Sequence, residues 1–67
     1  MLKTRLREYR AKYDMNQEKL AKIVGVRRET IGHLERGNYN PSLKLAWDLS
    51  KVFKVPIEEL FEYEEDE

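Results

Sequence analysis

The stretch that most constrains this chain is Asn16 to Arg36, NQEKLAKIVGVRRETIGHLER, which turns on one glycine. Leu20, Ala21 and Val24 share one face at the i, i+1, i+4 spacing of a packed helix, which predicts a helix over about Gln17 to Val24. Ile31 and Leu34, with Val26 just before them, predict a second helix over Arg27 to Glu35. Gly25 lies between the two and can take the left-handed conformation that ends a helix and redirects the chain. Ala21 is small where the second helix must cross the first. Arg27, Arg28, Glu29, Gly32 and His33 point away from the shared apolar face and give the second helix a polar surface. Two short helices joined this way form a helix-turn-helix, the supersecondary unit that can present its second helix to the DNA major groove.

Around this unit the chain reads as more helices. Leu2, Leu6, Tyr9 and Tyr13 fall at i, i+4, i+7, i+11, predicting a first amphipathic helix over Leu2 to Tyr13 with cations flanking the stripe. Those cations are read as solvated, with Arg10 the one best placed to reach a DNA backbone. Asn16 suits an N-cap, and Glu18 in the first turn suits the helix dipole. Gly37 is placed to end the second helix of the motif, and Ser42 to cap a fourth helix over Leu43 to Phe53. That helix buries Leu45, Ala46, Leu49, Val52 and Phe53. Trp47 lies off the buried face, so it covers the first or last helix or marks a subunit contact. Pro56 suits the start of a short fifth helix, Ile57 to Leu60. Phe61-Glu62-Tyr63-Glu64 then alternates apolar and acidic, a strand signal that one isolated strand cannot sustain. Its partner is a second copy of itself or the chain's own N-terminus; otherwise it frays.

Composition narrows the function classes. At 67 residues the chain is one small domain, near the limit of what a single core stabilises, so self-association would help it. Without cysteine it has no disulfide and no thiolate metal site, and one histidine, His33, does not make a zinc site. No cofactor is expected, and no catalytic constellation is visible. The N-terminal MLKTRLREYR is too charged for a signal peptide, and no apolar run could span a membrane, so a soluble cytoplasmic protein is expected. The net charge of +0 conceals a segregation. Residues 1–56 hold all 13 bases and six of the 13 acids, a net of +7, while the last eleven residues hold seven acids and no base. A basic body with an acidic end suits a nucleic-acid binder. The division expected is a domain over 1–61, with its helix-turn-helix at about 17–36, and an acidic tail over 62–67. Glu65, Asp66 and Glu67 are expected to be a disordered, solubilising end.

Gln17, Leu20, Ala21, Val24, Gly25, Val26, Ile31 and Leu34, followed by ERGNYNPSLKLA and VPIEELF, resemble the helix-turn-helix of the phage repressor and Cro family, also called the XRE family. The resemblance reaches from the N-terminal region to Phe61. It implies an all-α, five-helix lambda-repressor-like DNA-binding domain, here with a short C-terminal strand signal. It further implies sequence-specific binding of double-stranded DNA at an inverted-repeat operator, as a homodimer that regulates transcription, most simply by repression. Carried over position by position, the resemblance places Arg28, Glu29, Gly32 and His33 at base edges. Arg28 could bond guanine O6 and N7, and Glu29 could accept from cytosine N4; an ion pair along the helix is the alternative use of Glu29. Gln17, Arg27, Thr30, Asn38, Tyr39, Asn40, Ser42 and Lys44 would lie along the phosphate backbone; for Gln17 this contact is favoured over an ordinary exposed glutamine, whereas Asn38 could equally be a turn residue. Two positions depart from the family pattern: Arg27 stands where relatives carry a capping serine or threonine, and Lys54 where a glycine is common. Trp47, Phe61 and Tyr63 are the dimerisation candidates. A second expectation is an antitoxin-type module that uses residues 61–67 to neutralise a toxin-like protein partner while binding its own operator.

Overall fold

The computed structural model describes residues 1–65. Seven elements follow in order: β1 (Leu2–Thr4), α1 (Leu6–Lys12), α2 (Gln17–Val24), α3 (Arg28–Glu35), α4 (Leu43–Phe53), α5 (Ile57–Leu60) and β2 (Phe61–Tyr63). Their side chains meet in one core. Leu6, Leu20, Ile31, Leu34, Leu49, Phe53 and Leu60 are all essentially sealed from solvent, and Val24, Val26 and Val52 pack against them only partly buried.

Local chemistry sets most of the boundaries. Asn16 Oδ1 accepts the Lys19 amide at 2.8 Å and starts α2. Gly25 ends it in the left-handed region, φ +75°. Ser42 Oγ accepts the Leu45 amide at 3.1 Å and starts α4. Lys54 closes α4 with φ +57°, so the turn keeps a glycine's conformation without a glycine. Pro56 precedes α5 as its N-cap and leaves no amide to satisfy. Arg27 stays extended and offers no side-chain cap, so α3 begins one residue later than expected, at Arg28.

The N-terminus corrects the sequence reading. Leu2 to Thr4 does not continue α1; it is a strand, paired antiparallel with β2 in the register Leu2↔Tyr63, Lys3↔Glu62, Thr4↔Phe61. Leu2 and Leu6 satisfy both a helical stripe and a strand that enters a helix, and only the partner decides. Phe61, supplied from the other end of the chain, gives β1 a ladder and a core face. Thr4 Oγ1 then accepts the Leu6 amide at 3.0 Å, and the Arg5 amide donates to the Leu60 carbonyl at 2.9 Å. Of the two partners open to the Phe61–Glu64 segment, it takes the chain's own N-terminus. Glu62 and Tyr63, assigned to the tail, therefore continue a strand. Glu65 is exposed, while Asp66 and Glu67 lie outside the described residues.

Candidate nucleic-acid interface

The face carrying the expected contacts is organised around a carboxylate that does not belong to it. Glu35, at the last position of α3, has a side chain only 1% exposed. Arg10 of α1 donates to it from Nε at 2.7 Å and from Nη2 at 3.2 Å. Gln17 of α2 adds its Nε2 at 2.9 Å, and Arg7 Nε stands 3.7 Å away. Burial disfavours the charge of Glu35. The hydrogen bonds from Arg10 and then Gln17, with the charges of Arg10 and Arg7, outweigh that and hold its pKa below the ordinary carboxylate value. Arg10 also donates to the Met15 carbonyl at 3.0 Å. The network therefore fixes three helices to one another at the point where α2 and α3 diverge. It also corrects one expectation: Arg10 is largely buried and is not a free cation for a DNA backbone. The amide nitrogen of Gln17 faces Glu35.

Above this anchor α3 presents Arg28, Glu29 and His33, all exposed. Arg28 Nη2 and Glu29 Oε2 are 3.9 Å apart, with both side chains more than half exposed. Such a pair is worth little and leaves both groups free to exchange partners. Thr30 is half-buried. Gly32, a base-edge position by the resemblance, is buried. A Cβ there would stand 3.5 Å from Arg36 Nη1 and 3.8 Å from Gln17 Nε2. The guanidinium of Arg36 thus folds back along α3 over Gly32, with Nη2 3.1 Å from His33 Nδ1. Among the described residues Arg36 has no carboxylate partner. Sequence reasoning missed it, although its spacing of i+3 from His33 and i+4 from Gly32 puts it on their face.

The backbone-contact candidates border this face. Arg27, Asn38, Tyr39, Asn40, Ser42 and Lys44 are all exposed. Ser42 is engaged as a cap. Lys44 Nζ holds Asp48 at 2.8 and 2.9 Å, and Tyr63 Oη donates to Asn40 Oδ1 at 3.3 Å. Gly37 packs so closely on β1 that a Cβ would lie 2.4 Å from the Leu2 carbonyl oxygen. The strands thus support the loop that follows α3. Of the dimerisation candidates, Trp47 and Tyr63 are more than half exposed, whereas Phe61 is buried in the core and is unavailable to a partner. Among the described residues no group of three or more His, Cys, Asp or Glu could hold a metal ion, and no helix is long and apolar enough to cross a membrane.

Comparison with known proteins agrees with this geometry. A family model described as HTH_3, helix-turn-helix, matches residues 6–60. An uncharacterized HTH-type transcriptional regulator of Archaeoglobus fulgidus is 59% identical over 66 residues, covering 98% of this chain and 94% of its own. The cryptic phage CTXphi transcriptional repressor RstR of Vibrio cholerae is 37% identical over 60 residues, 90% of this chain and 54% of its own. Among solved structures, the restriction-modification controller protein C.AhdI from Aeromonas hydrophila superposes with a TM-score of 0.74 at 36% identity. That match covers 82% of this chain and 83% of the other.

Proposed function

The chain belongs to the HTH_3 helix-turn-helix family of transcriptional regulators, and from that premise we propose that it is a repressor reading a specific double-stranded operator through α3. The observation that carries the proposal is the contrast within one helix. Glu35 is neutralised and buried, while Arg28, Glu29, His33 and Arg36 stay exposed on the side turned away from the core. A carboxylate at Glu29 disfavours indiscriminate phosphate binding, so the face suits a reader of base edges better than a charge patch. Arg28 would take guanine and Glu29 cytosine N4, with His33 beside them. Arg27, Lys44 and Arg36 would face phosphates, with Gln17, Asn38, Tyr39 and Asn40 along the same backbone. One α3 reads few base pairs, so two copies on an inverted repeat would double both the base readout and the phosphate contacts. Repression draws support from the name of RstR. A toxin-neutralising role for residues 61–67 draws less, because Phe61 is in the core and Glu64 is paired with Lys3 at 3.0 Å.

Selection from a random duplex library at about 0.15 M salt, where nonspecific binding is damped, tests the proposal. An enriched inverted repeat is the expected result. Arg28→Ala should then relax preference at one base position by about 1–3 kcal/mol. Folded protein that enriches nothing would overturn the reading.

A further inference from the structure

The exposed end of α3 carries a contact whose chemistry runs in one direction only. Arg36 Nη2 lies 3.1 Å from His33 Nδ1, three residues back on the same helix face. A guanidinium has donors and no acceptor. Nδ1 is therefore the accepting nitrogen, and the proton of the neutral ring sits on Nε2. We propose that Arg36 is a positioning residue for base reading. It holds His33 in the Nε2–H tautomer, so His33 meets a base edge as a hydrogen-bond donor and selects an acceptor, guanine N7 or O6 first. The inference rests on the operator-reading function above and adds the rule by which one of its readers chooses.

The surroundings leave Arg36 and His33 to each other. The guanidinium has a seat over Gly32, where a Cβ would already touch Nη1 at 3.5 Å and a larger side chain would displace it. No described carboxylate pairs with Arg36. Glu29, four residues before His33 and spaced to take the imidazole instead, stands 3.9 Å from Arg28. On the α2 side the polar neighbour is Gln17, whose Nε2 would lie 3.8 Å from the same Cβ. That nitrogen is a donor already committed to Glu35 at 2.9 Å, so it offers Arg36 nothing. One of the five guanidinium donors is used on Nδ1, and the others stay free for a phosphate. The reading face then alternates in sense: Arg28 donates, Glu29 accepts and His33 donates. In the major groove guanine presents two adjacent acceptors, whereas cytosine N4 and adenine N6 donate. The tautomer therefore decides between them.

Nitrogen NMR of the His33 ring in the whole chain without DNA, at about pH 8 with the ring neutral, tests the lock. Wild type and Arg36→Lys, which keeps a donor, should hold the proton on Nε2. Arg36→Glu, which offers an acceptor, should move it to Nδ1. Selection from a random duplex library then reads the consequence. His33→Ala identifies the base position, as the one whose preference it flattens. There wild type should favour guanine over cytosine by about threefold to tenfold, and Arg36→Lys should keep that preference. Arg36→Glu should reverse it towards cytosine or adenine while weakening binding to all sequences. In a His33→Ala background Arg36→Glu should leave that position unchanged, because the reader it orients is gone. A ring proton on Nδ1 in wild type, or a tautomer indifferent to Arg36→Glu, would overturn the inference. So would an Arg36→Glu chain that loses affinity on all sequences alike with its base preference intact, which would leave Arg36 a phosphate contact only. A locked tautomer in a chain that selects no DNA would overturn the operator reading and leave the lock standing.

Discussion

Gly25 and Gly37 both hold a left-handed backbone, at φ +75° and +74°, yet a methyl group would meet different surroundings at each. At Gly25 nothing lies within 4 Å of the added carbon, so Gly25→Ala should cost only the conformational strain, about 1–2 kcal/mol. At Gly37 the carbon would collide with the Leu2 carbonyl oxygen, a backbone atom of strand β1. Gly37→Ala should therefore destabilise by clearly more, about 3 kcal/mol, and urea unfolding of the two variants compares them directly. The first glycine is legible from its place between two periodic segments; the second's contact is not, because Leu2 is remote in sequence. The same holds for Glu35, whose partner Arg10 lies 25 residues away, beyond any local spacing signal. The folded-state pKa of Glu35 is lowered. Its contribution to stability is then fully present above the unfolded value, about 4.3, and is lost as pH falls through the folded value. Glu35→Gln should flatten the loss of stability below about pH 5 and cost about 3 kcal/mol at neutral pH, where Arg10 would be left buried without its counter-charge. Glu64 also has a lowered pKa, through the Lys3 hydrogen bond and charge, but both side chains are more than half exposed. Glu64→Gln should change the acid limb little.

At the scale of elements, the helices whose start and stop residues carry their own hydrogen bonds were readable, and the strand was not. Asn16, Gly25 and Ser42 act on backbone groups within a few residues, so the sequence alone locates α2 and α4. β1 is three residues long and has no ladder without Phe61, 57 or more residues on in the chain, which is why periodicity alone extends the first helix back to Leu2. The alternation in Phe61–Glu64 did signal β2, and the open question was its partner. The pairing gives Phe61 two roles, a core contact and support for the loop after α3 through Tyr63 and Asn40. Phe61→Ala should accordingly cost about 3 kcal/mol or more and loosen both strands together, seen as faster amide exchange in Leu2–Thr4. Tyr63→Phe removes one exposed hydrogen bond and should cost below about 1 kcal/mol. Equal effects from the two variants would mean that the strand is held by its ladder and not by the phenyl ring.

For the whole molecule, zero net charge is the wrong summary, because field strength depends on where the charges stand. The cations near the proposed interface, Arg27, Arg36 and Lys44, are exposed, while Arg10 is neutralised inside and Glu62, Glu64 and Glu65 sit at the C-terminal end. Total composition therefore said little about DNA, whereas the segregation along the chain said a good deal. What it could not say is which cations are consumed internally, since Arg10 and Lys44 look alike on paper. If Arg27, Arg36 and Lys44 each meet a phosphate in two bound copies, about six counterions are released and log Kobs should fall against log salt with a slope of about −5. Lys44→Ala should lower that slope by about 2, one contact per copy, and weaken all sequences alike. Its pairing with Asp48 does not oppose this, because an exposed i, i+4 pair is weak and yields readily to a phosphate. Arg28→Ala should behave in the opposite sense, changing base preference more than the salt slope. A Lys44 variant that altered base preference with an unchanged slope would place that residue at a base edge and redraw the boundary between the reading face and the backbone-contacting loop.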